Sequence, residues 1–436
     1  MPNKPSRRTF LRTAAAAGAA LPLLAPRMVH AESNTKPLRI GGIGVGGKGR
    51  GDVYEMAKFG AKIVAVCDID AQRLEQSGKT YPGAKRFTDW QKLLEMDELD
   101  AVTVSTPDHT HAPATMTAIR RGLHVYCQKP LTHSVWEARQ IGLATAEHNA
   151  VTQMGTQGHS SSSKRLVVEL LRRQVVGPIQ QIHIWTNRPI WPQGLKRPPA
   201  KPVLQGIDWN QWIGVAPYRE CHDHLHPFSW RGWLDFGTGA LGDIGCHAIA
   251  AVWDGLKLTA PTHVWSTGLP PNAETFPQKG TVHYAFPATD VTPTPFELVW
   301  YDGGNLPDRS LFPFLPDDWK VPNSGSLIVG AEGTMYGHRL YPEQKFGKFE
   351  YPKTEGDNHY TQWAKACLDR SLETVTPFAT FSSPLTEAVL LGNVALHYPG
   401  EKLQWDPKAF KFPNQPDADN HLKRAYRGGW QIEGLG

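Results

Sequence analysis

Between residues 38 and 154 the chain alternates short apolar runs with longer amphipathic stretches. The apolar runs are rich in Val, Ile and Ala, as strands buried on both faces of a parallel sheet are. The stretches between them predict helices, with Gly122 placed to end one and Ser134 to begin the next. The predicted strands cover 38–43, 62–68, 84–87, 101–105, 124–127 and 151–154, and the helices cover 50–58, 71–79, 89–96, 112–121 and 135–149. This alternation predicts a doubly wound parallel sheet.

After about residue 155 the apolar period changes to two, which predicts a larger, mostly antiparallel sheet with one covered face. The segments with this period are 181–185, 263–267, 281–286, 296–301, 326–329 and 334–336. Helices are expected at 164–174 and from Ser383 to about residue 397. We therefore predict an α/β domain at 37–155, an α+β domain at 156–400, and a tail at 401–436 that wraps the surface or a partner subunit.

The first predicted strand leads into Gly44-x-Gly46-x-x-Gly49, the pattern of a dinucleotide-binding loop. Gly44 would allow the tight turn, Gly46 the close approach of a pyrophosphate, and Gly49 the close packing of the next helix. Asp68 ends the next strand, where a carboxylate accepts hydrogen bonds from ribose hydroxyls and repels a 2′-phosphate. The pattern favours NAD over NADP, although the nearby Arg73 weakens this charge argument.

Polar residues follow two further strands of the predicted sheet, at the edge where ligands bind in such folds. Ser105, Thr106, Pro107 and His109 follow the fourth strand and would line the adenosine half of the cofactor, a plain strand-to-helix turn being the alternative. The predicted cofactor contacts are Gly44, Gly46, Gly47, Gly49, Asp68, Ser105, Thr106, Pro107, His109, Gln128 and Lys129.

Lys129 follows the fifth strand and precedes Pro130, for which a cis peptide is one option. There its ammonium would orient a substrate hydroxyl and lower the pKa of that hydroxyl, an exposed lysine before a turn being the alternative. Asp243 and His247 stand one turn apart on a predicted helix. A carboxylate beside His247 would set the tautomer of the imidazole, which then accepts a hydroxyl proton. A buried core histidine is the alternative interpretation of His247.

The N-terminus has the three parts of an export signal. Ser6-Arg7-Arg8-Thr9-Phe10-Leu11-Arg12 precedes an Ala-rich apolar stretch and small residues that end at Ala31. This order predicts a twin-arginine signal peptide at 1–31, a periplasmic or extracytoplasmic protein, and no stable membrane anchor after cleavage. The predicted compartment is poor in free NAD, so the cofactor would leave the cytoplasm already bound.

The signal carries the excess positive charge. The 436-residue chain has a formal net charge of +5. Residues 1–31 contain five basic residues and no acid, so the rest of the chain is neutral and nucleic-acid binding has no electrostatic support. The five cysteines are widely spaced and read as buried thiols. A bridge between Cys221 and Cys246 stays open, because the predicted compartment is oxidising.

The glycine loop, the Lys129-Pro130 pair and Asp243-x-x-x-His247, taken in this order, resemble the Gfo/Idh/MocA oxidoreductases, among them glucose-fructose oxidoreductase and inositol 2-dehydrogenase. The segments 330–333 and 385–393 resemble the family's secreted, twin-arginine-exported bacterial branch. The resemblance implies a Rossmann domain, then an open-faced β-sheet domain that assembles dimers or tetramers. It implies NAD(P)-dependent chemistry at a sugar or cyclitol hydroxyl, with Lys129 as catalytic lysine, Asp243 as its partner and His247 as acid/base. One departure is Gln128, where the family commonly has Glu, a carboxylate that could help to keep the lysine charged.

The resemblance also places residues 221–226 near a sugar pocket. His222, His224 and His226 could in principle hold a metal, but we favour substrate contacts and predict no metal site. The candidate substrate residues are Gln157, His159, His226, Trp230 and Arg231.

The leading functional prediction is therefore an NAD(P)-dependent sugar or polyol oxidoreductase. A second is an NAD-dependent glycosidase that works by transient oxidation, elimination, hydration and re-reduction. A third is a non-catalytic sugar-binding protein in which NAD is a structural clamp.

Overall fold

The computed structural model describes residues 36–436, so the predicted signal peptide at 1–31 lies outside the described residues. The first half contains a six-stranded sheet made of β1 (Arg39–Ile43), β2 (Lys62–Cys67), β3 (Lys85–Phe87), β4 (Ala101–Val104), β5 (His124–Cys127) and β6 (Thr152–Met154). Its helices are α1 (Gly47–Phe59), α2 (Ala71–Thr80), α3 (Trp90–Leu94), α4 (His111–Arg120) and α5 (Val135–His148).

The strand order is β3-β2-β1-β4-β5-β6, and every neighbouring pair is parallel. The predicted doubly wound parallel sheet is confirmed. The order reverses between β1 and β4, and such a reversal opens a crevice at the carboxyl ends of the two strands.

Local signals set the helix ends as the sequence predicts. The Ser134 hydroxyl accepts a hydrogen bond from the Glu137 amide, and the Glu137 carboxylate accepts one from the Ser134 amide, which together begin α5. Gly122 follows α4 with a φ of 75°, a left-handed conformation that glycine adopts without a steric penalty.

The second half contains an eight-stranded sheet. Its strands are β7 (Ile179–Trp185), β8 (His263–Thr267), β9 (Thr281–Phe286), β10 (Phe296–Tyr301), β11 (Gly325–Gly330), β12 (Thr334–Tyr336), β13 (Arg339–Tyr341) and β14 (Leu403–Gln404). The helices are α6 (Ser162–Arg172), α7 (Trp209–Ile213), α8 (Gly239–Leu256), α9 (Glu343–Phe346), α10 (His359–Leu368) and α11 (Ser383–Ala395).

The order of this sheet is β13-β12-β11-β7-β10-β9-β8-β14. Only β7 and β10 pair in parallel among its described strands, so the predicted, mostly antiparallel sheet is confirmed. Apolar side chains of α8 and α11 join those of the sheet in one buried cluster, for example around Leu241, Tyr284 and Val389. This packing brings α8 to the end of the parallel sheet.

Some elements differ from the predictions. The helix predicted at 89–96 is the short α3, and α1 begins three residues before the predicted position 50. The helix α10 was not predicted, although it packs against α1. The tail packs back on the described chain, since β14 pairs with β8 and the Tyr426 hydroxyl donates to Glu137. The domain boundaries at 155 and 400 stay predictions.

No helix in residues 36–436 is both long and apolar enough to cross a bilayer. The five cysteines are free thiols, so the bridge between Cys221 and Cys246 that the sequence left open is not formed.

Candidate active site

A cavity of about 570 Å³ lies at the carboxyl ends of β1, β2, β4 and β5 and extends to α8. It brings together most of the residues that the sequence singled out, from both halves of the chain. The predicted site residues in its lining are Gly44, Gly46, Gly47, Asp68, Ser105, Thr106, Pro107, Gln128, Lys129, Gln157, His226, Trp230, Arg231, Asp243 and His247. Gly49, His109 and His159 are not in the lining.

Backbone contacts leave no room for a side chain at Gly44 or Gly49 of the glycine loop. Gly44 has a φ of 78°, and a Cβ there would lie 2.7 Å from the Ser105 carbonyl oxygen. A Cβ on Gly49 would lie 1.7 Å from the Gly44 carbonyl oxygen. Gly49 therefore allows α1 to pack against the loop, the role predicted for it, without itself facing the cavity.

Asp68 fastens this loop to the end of β2. Its Oδ2 accepts hydrogen bonds from the amides of Val45 at 3.0 Å and Gly46 at 2.9 Å, and its Oδ1 accepts one from the Asp70 amide. Burial raises the pKa of Asp68, while these hydrogen bonds and the Arg73 charge oppose the rise. Asp68 lines the cavity. Because its Oδ1 accepts a single hydrogen bond within residues 36–436, that oxygen has a further lone pair to offer a ribose hydroxyl.

These residues fit a dinucleotide. The backbone of the loop is bare at Gly44, where the Ser105 backbone excludes a Cβ, and at Gly46, where a Cβ would displace the Arg73 side chain. The cavity volume falls in the range of small-molecule and cofactor sites. Gly44, Gly46, Gly47 and Asp68 would hold the adenosine and pyrophosphate parts, and the cavity continues from there to Lys129.

Lys129 and Asp243 form an ion pair inside the cavity. Lys129 Nζ donates to Asp243 Oδ1 at 2.6 Å, and Arg231 Nε donates to the same oxygen at 3.2 Å. Burial alone would raise the pKa of Asp243, but the charges of Lys129 and Arg231 outweigh it and hold that pKa below its usual value. Asp243 therefore stays ionised and orients the lysine. The Lys129-Pro130 peptide is cis.

His247 lies one turn further along α8. Its imidazole makes no hydrogen bond to any residue within 36–436 and lines the cavity. Burial, followed by the Lys129 charge, lowers the pKa of His247 to about 3, so the ring is neutral and has a free lone pair at physiological pH.

The expected hydrogen bond between Asp243 and His247 is not formed, which corrects the sequence prediction. Asp243 turns to Lys129 and Arg231, because two cations neutralise a buried carboxylate better than a neutral ring does. Asp243 thus acts on the lysine, and the tautomer of His247 is not set by the carboxylate one turn earlier.

Asp108 is a cavity residue that the sequence analysis did not single out. It is 2% exposed, and its Oδ2 accepts a hydrogen bond from the Thr238 hydroxyl at 2.7 Å. Burial, and then the charge of Asp243, raise the pKa of Asp108 to about 7. Its place between Pro107 and His109 was the available signal, but an acid there also fits a simple helix cap.

The candidate substrate residues divide into two groups. Four line the cavity, namely Gln157, His226, Trp230 and Arg231. The Arg231 guanidinium lies 4.3 Å from the centre of the Trp230 ring, which makes a flat, cationic wall. Neither ring nitrogen of His226 has a partner within residues 36–436, and burial lowers its pKa to about 4. His226 is therefore neutral and able to donate or accept a hydrogen bond.

His109 and His159 are corrections, since neither reaches the cavity. His109 is fully buried, with its Nε2 at 2.9 Å from the Trp212 carbonyl oxygen and its Nδ1 at 3.2 Å from that of Phe236. His159 Nε2 lies 3.2 Å from Asp254 instead. Both histidines cross-link backbone or helices, a role that a single-sequence pattern does not separate from ligand binding.

The run at residues 221–226 does not form a metal cluster. No group of three His, Cys, Asp or Glu side chains converges in the part of the chain that the structure describes. His222 Nδ1 bonds to the Asp223 carbonyl oxygen, and its ring packs on Trp233. His224 has a φ of 65°, so residues 221–226 form a turn and not a strand on which His222, His224 and His226 would share one face.

Known proteins resemble both halves of the chain. Residues 38–156 match the family model GFO_IDH_MocA, described as an oxidoreductase family with an NAD-binding Rossmann fold, and residues 170–260 match its C-terminal alpha/beta domain. Inositol 2-dehydrogenase 4 of Saccharopolyspora erythraea is 38% identical over 125 residues, which is 28% of this chain and 37% of that protein. A glycosyl hydrolase family 109 protein of Shewanella pealeana is 30% identical over 198 residues, 39% of this chain and 43% of that protein.

These alignments span less than half the length of the curated relatives. Among solved structures, the WlbA dehydrogenase from Bordetella pertussis, in complex with NADH and UDP-GlcNAcA, covers 85% of this chain and 99% of its own, with a TM-score of 0.58 at 16% identity. The likeness to this structure shows the fold, and the two family-model matches, over residues 38–156 and 170–260, show the family. The chain belongs to the Gfo/Idh/MocA family of oxidoreductases.

Proposed function

We propose that this protein is an NAD-dependent oxidoreductase that acts on a hydroxyl or keto group of a sugar or cyclitol. The observation that carries the proposal is the Lys129–Asp243 ion pair beside the unbonded imidazole of His247, in the same cavity as the glycine loop. The inositol 2-dehydrogenase relative and the solved complex with a nucleotide sugar support this substrate class.

Lys129 and His247 have separate roles in the proposed oxidation. When bound, NAD supplies the hydride acceptor. Lys129, held by Asp243, donates a hydrogen bond to the substrate hydroxyl oxygen and stabilises the negative charge that develops there. His247 accepts the hydroxyl proton at a ring nitrogen. In the reverse direction His247 returns that proton and Lys129 polarises the carbonyl.

The low proton affinity of His247 explains why both groups are required. An imidazole whose pKa lies near 3 removes a hydroxyl proton only if the oxygen is stabilised at the same time. The Lys129 ammonium supplies that stabilisation. The Trp230–Arg231 wall would bind the sugar ring, because aromatic faces pack on the C–H surface of sugars while a guanidinium donates to hydroxyls.

The test is a panel of sugars and cyclitols incubated with the purified protein and NAD while nicotinamide absorbance is followed. The proposal expects reduction of NAD with at least one polyol and loss of that signal in Lys129→Ala and His247→Ala. It fails if no polyol gives a signal. It also fails if Lys129→Ala keeps the wild-type rate.

A glycosidase that oxidises, eliminates, hydrates and re-reduces its sugar is the second candidate, and the family 109 relative favours it. Such an enzyme releases free sugar from a nitrophenyl glycoside without net NADH. Measuring both signals in one assay separates the two reactions. Sugar binding without either signal would identify the third alternative, a non-catalytic binder.

We also propose that the twin-arginine segment exports the protein with NAD already bound, as a dimer or tetramer. Residues from the second half cover the β2–α2 corner, where the Asp208 amide donates to Ile69 and the Ala71 amide donates to Gly206. Such a cover slows nucleotide loss. Fractionation of cells with an Arg7→Lys/Arg8→Lys variant tests export, and light scattering tests the assembly.

A further inference from the structure

Asp52 is a buried carboxylate on α1 that the reaction outlined above does not use. It is 0% exposed and lies behind the cavity wall. Its Oδ1 accepts hydrogen bonds from Lys48 and from the Tyr360 hydroxyl, and its Oδ2 accepts from Ser105 Oγ at 2.7 Å and Gln128 Nε2 at 2.9 Å. Four donors from four separate elements therefore meet at one side chain.

Three of these donors, Lys48, Ser105 and Gln128, line the cavity, and two of them follow strands of the parallel sheet. Ser105 follows β4 and Gln128 follows β5, so Asp52 connects the ends of the two strands beside the glycine loop. Gln128 is also the residue before Lys129. Fixing its side chain and backbone fixes the starting point of the catalytic lysine.

The carboxylate determines which end of the Gln128 amide faces the cavity. An ionised carboxylate only accepts hydrogen bonds, so the NH₂ group of Gln128 must turn towards Asp52. The Oε1 atom receives no hydrogen bond from any residue in 36–436, and Gln128 lines the cavity. Oε1 is therefore the side-chain amide atom left to accept a hydrogen bond from a ligand.

Packing prevents the amide from moving away. A Cβ on Gly155 would lie 2.6 Å from Gln128 Cδ, so the bare backbone of residue 155 lies directly against the amide. The backbone is held as well. The Gly155 backbone N–H donates to the Cys127 carbonyl oxygen at 2.7 Å, and the Gln128 backbone N–H donates to the Val104 carbonyl oxygen at 2.9 Å. The side chain is held between α1 and the segment after β6.

From this geometry we propose that Asp52 is a positioning residue, which orients Gln128 so that Oε1 accepts a hydrogen bond from a hydroxyl or amide of the bound NAD. The inference rests on the proposed use of NAD. It also gives a reason for glutamine at position 128, since a glutamate there would bring two carboxylates within about 3 Å.

A reciprocal exchange tests the pair. Gln128→Glu places like charges together and should weaken NAD binding by about 10-fold or more. Asp52→Asn offers an NH₂ group, which turns the Gln128 amide around and presents a donor to the cavity, with a similar loss. In the double variant D52N/Q128E, the amide introduced on α1 donates to one oxygen of the new carboxylate and the other oxygen faces the cavity. NAD affinity should return to within about 3-fold of wild type.

The readouts are the NAD dissociation constant from protein fluorescence, the split between KM for NAD and kcat, and the melting temperature. Glu55→Gln on α1 and Gln76→Glu on α2 are matched controls, because they change charge in the same way without reaching the cavity. A structural role alone would lower the melting temperature of both single variants without the return of affinity in the double variant.

Each outcome bears on the inference. Wild-type affinity in Gln128→Glu, or a double variant no better than that single one, overturns it. If Gln128→Glu fails to fold, the double variant decides alone, and a folded double variant with near wild-type affinity supports the pair. A wild-type protein that binds NAD but oxidises no polyol overturns only the proposed function, whereas one that binds no nucleotide overturns both.

Discussion

The ammonium nitrogen of Lys129 lies 2.6 Å from Asp243 Oδ1, although 114 residues separate the two along the chain. The pair joins the end of β5 to α8 and fixes the cation in the cavity. In Lys129→Met, we expect kcat to fall by about 10²- to 10⁴-fold, the range for a lost proton-transfer or charge-stabilising group. NAD affinity should change by less than about 5-fold, since Lys129 acts on the substrate oxygen.

Steady-state kinetics and a fluorescence titration measure the two quantities. Lys62→Met, at the exposed start of β2 and outside the cavity lining, serves as a comparison for loss of a lysine charge. A Lys129→Met variant that loses NAD affinity while its kcat is unchanged would contradict the assigned role.

The two histidines His247 and His109 should respond in opposite ways to truncation. His247 is the proposed proton acceptor, so His247→Ala should abolish most activity. Because its ring has no hydrogen bond within the described residues, the free energy of unfolding should change by less than about 1 kcal/mol. His109 is packed against Trp212 and Phe236 and lies close to their carbonyls. His109→Ala should cost about 2–4 kcal/mol of unfolding free energy.

Denaturant unfolding and activity assays on the same two preparations check this contrast. Equal stability losses in both variants would show that His247 is also a structural residue. A stable His109→Ala variant with lost NAD binding would restore the original sequence prediction for His109.

Asp68 should affect both the geometry of the glycine loop and the preference for NAD over NADP. In Asp68→Ala the amides of Val45 and Gly46 lose their acceptor, and the ribose loses its partner. We expect NAD affinity to fall by about 10-fold or more. The affinity for NADP should fall less than the affinity for NAD, because removal of the negative charge lets Arg73 attract the 2′-phosphate. Titration with both nucleotides measures the ratio, and an unchanged ratio would argue against Asp68 as the selecting residue.

Asp108 makes stability depend on pH. Its folded-state pKa lies near 7, above the ordinary value of 3.8, so the folded protein binds this proton more tightly than the unfolded chain. The resulting stability is complete below about pH 4 and is lost as pH rises through about 7, at up to about 1.4 kcal/mol per pH unit. Asp108→Asn keeps a neutral group that still accepts from Thr238, so it should gain stability relative to wild type as pH rises.

Melting temperatures of both proteins between about pH 4 and pH 8 test this expectation. Asp89→Asn, at the partly exposed start of α3, is the control for removal of a carboxylate. A constant difference between Asp108→Asn and wild type across the range would show that Asp108 does not titrate there.

The C-terminal tail should contribute to stability through Tyr426. Its hydroxyl donates to Glu137 Oε1 at 2.7 Å, and Glu137 is fully buried at the start of α5. Tyr426→Phe leaves one carboxylate oxygen without that donor and should cost about 1–3 kcal/mol. Tyr54→Phe, at an exposed tyrosine on α1, should cost almost nothing. Chemical denaturation compares them, and equal costs would mean that the tail packs without this hydrogen bond.

Local patterns were sufficient for much of the fold. Apolar runs, the glycine spacing and the cap at Ser134 depend on residues within a few positions of each other, and all three have the predicted geometry. The helix α10 escaped prediction because its contact surface, α1, lies about 300 residues earlier in the chain. The sequence pattern of α10 did not indicate which surface the helix would pack against.

The site shows the same division. By itself, the sequence determined that a glycine loop, a lysine and a histidine would follow particular strands and helices, since strand order and helix period place side chains on an edge or a face. Only the tertiary structure decided that Asp243 pairs with Lys129 and not with His247, and that Asp52 meets Gln128. Hydrogen bonds select partners by distances of a few tenths of an ångström, and those distances arise only when separate elements pack together.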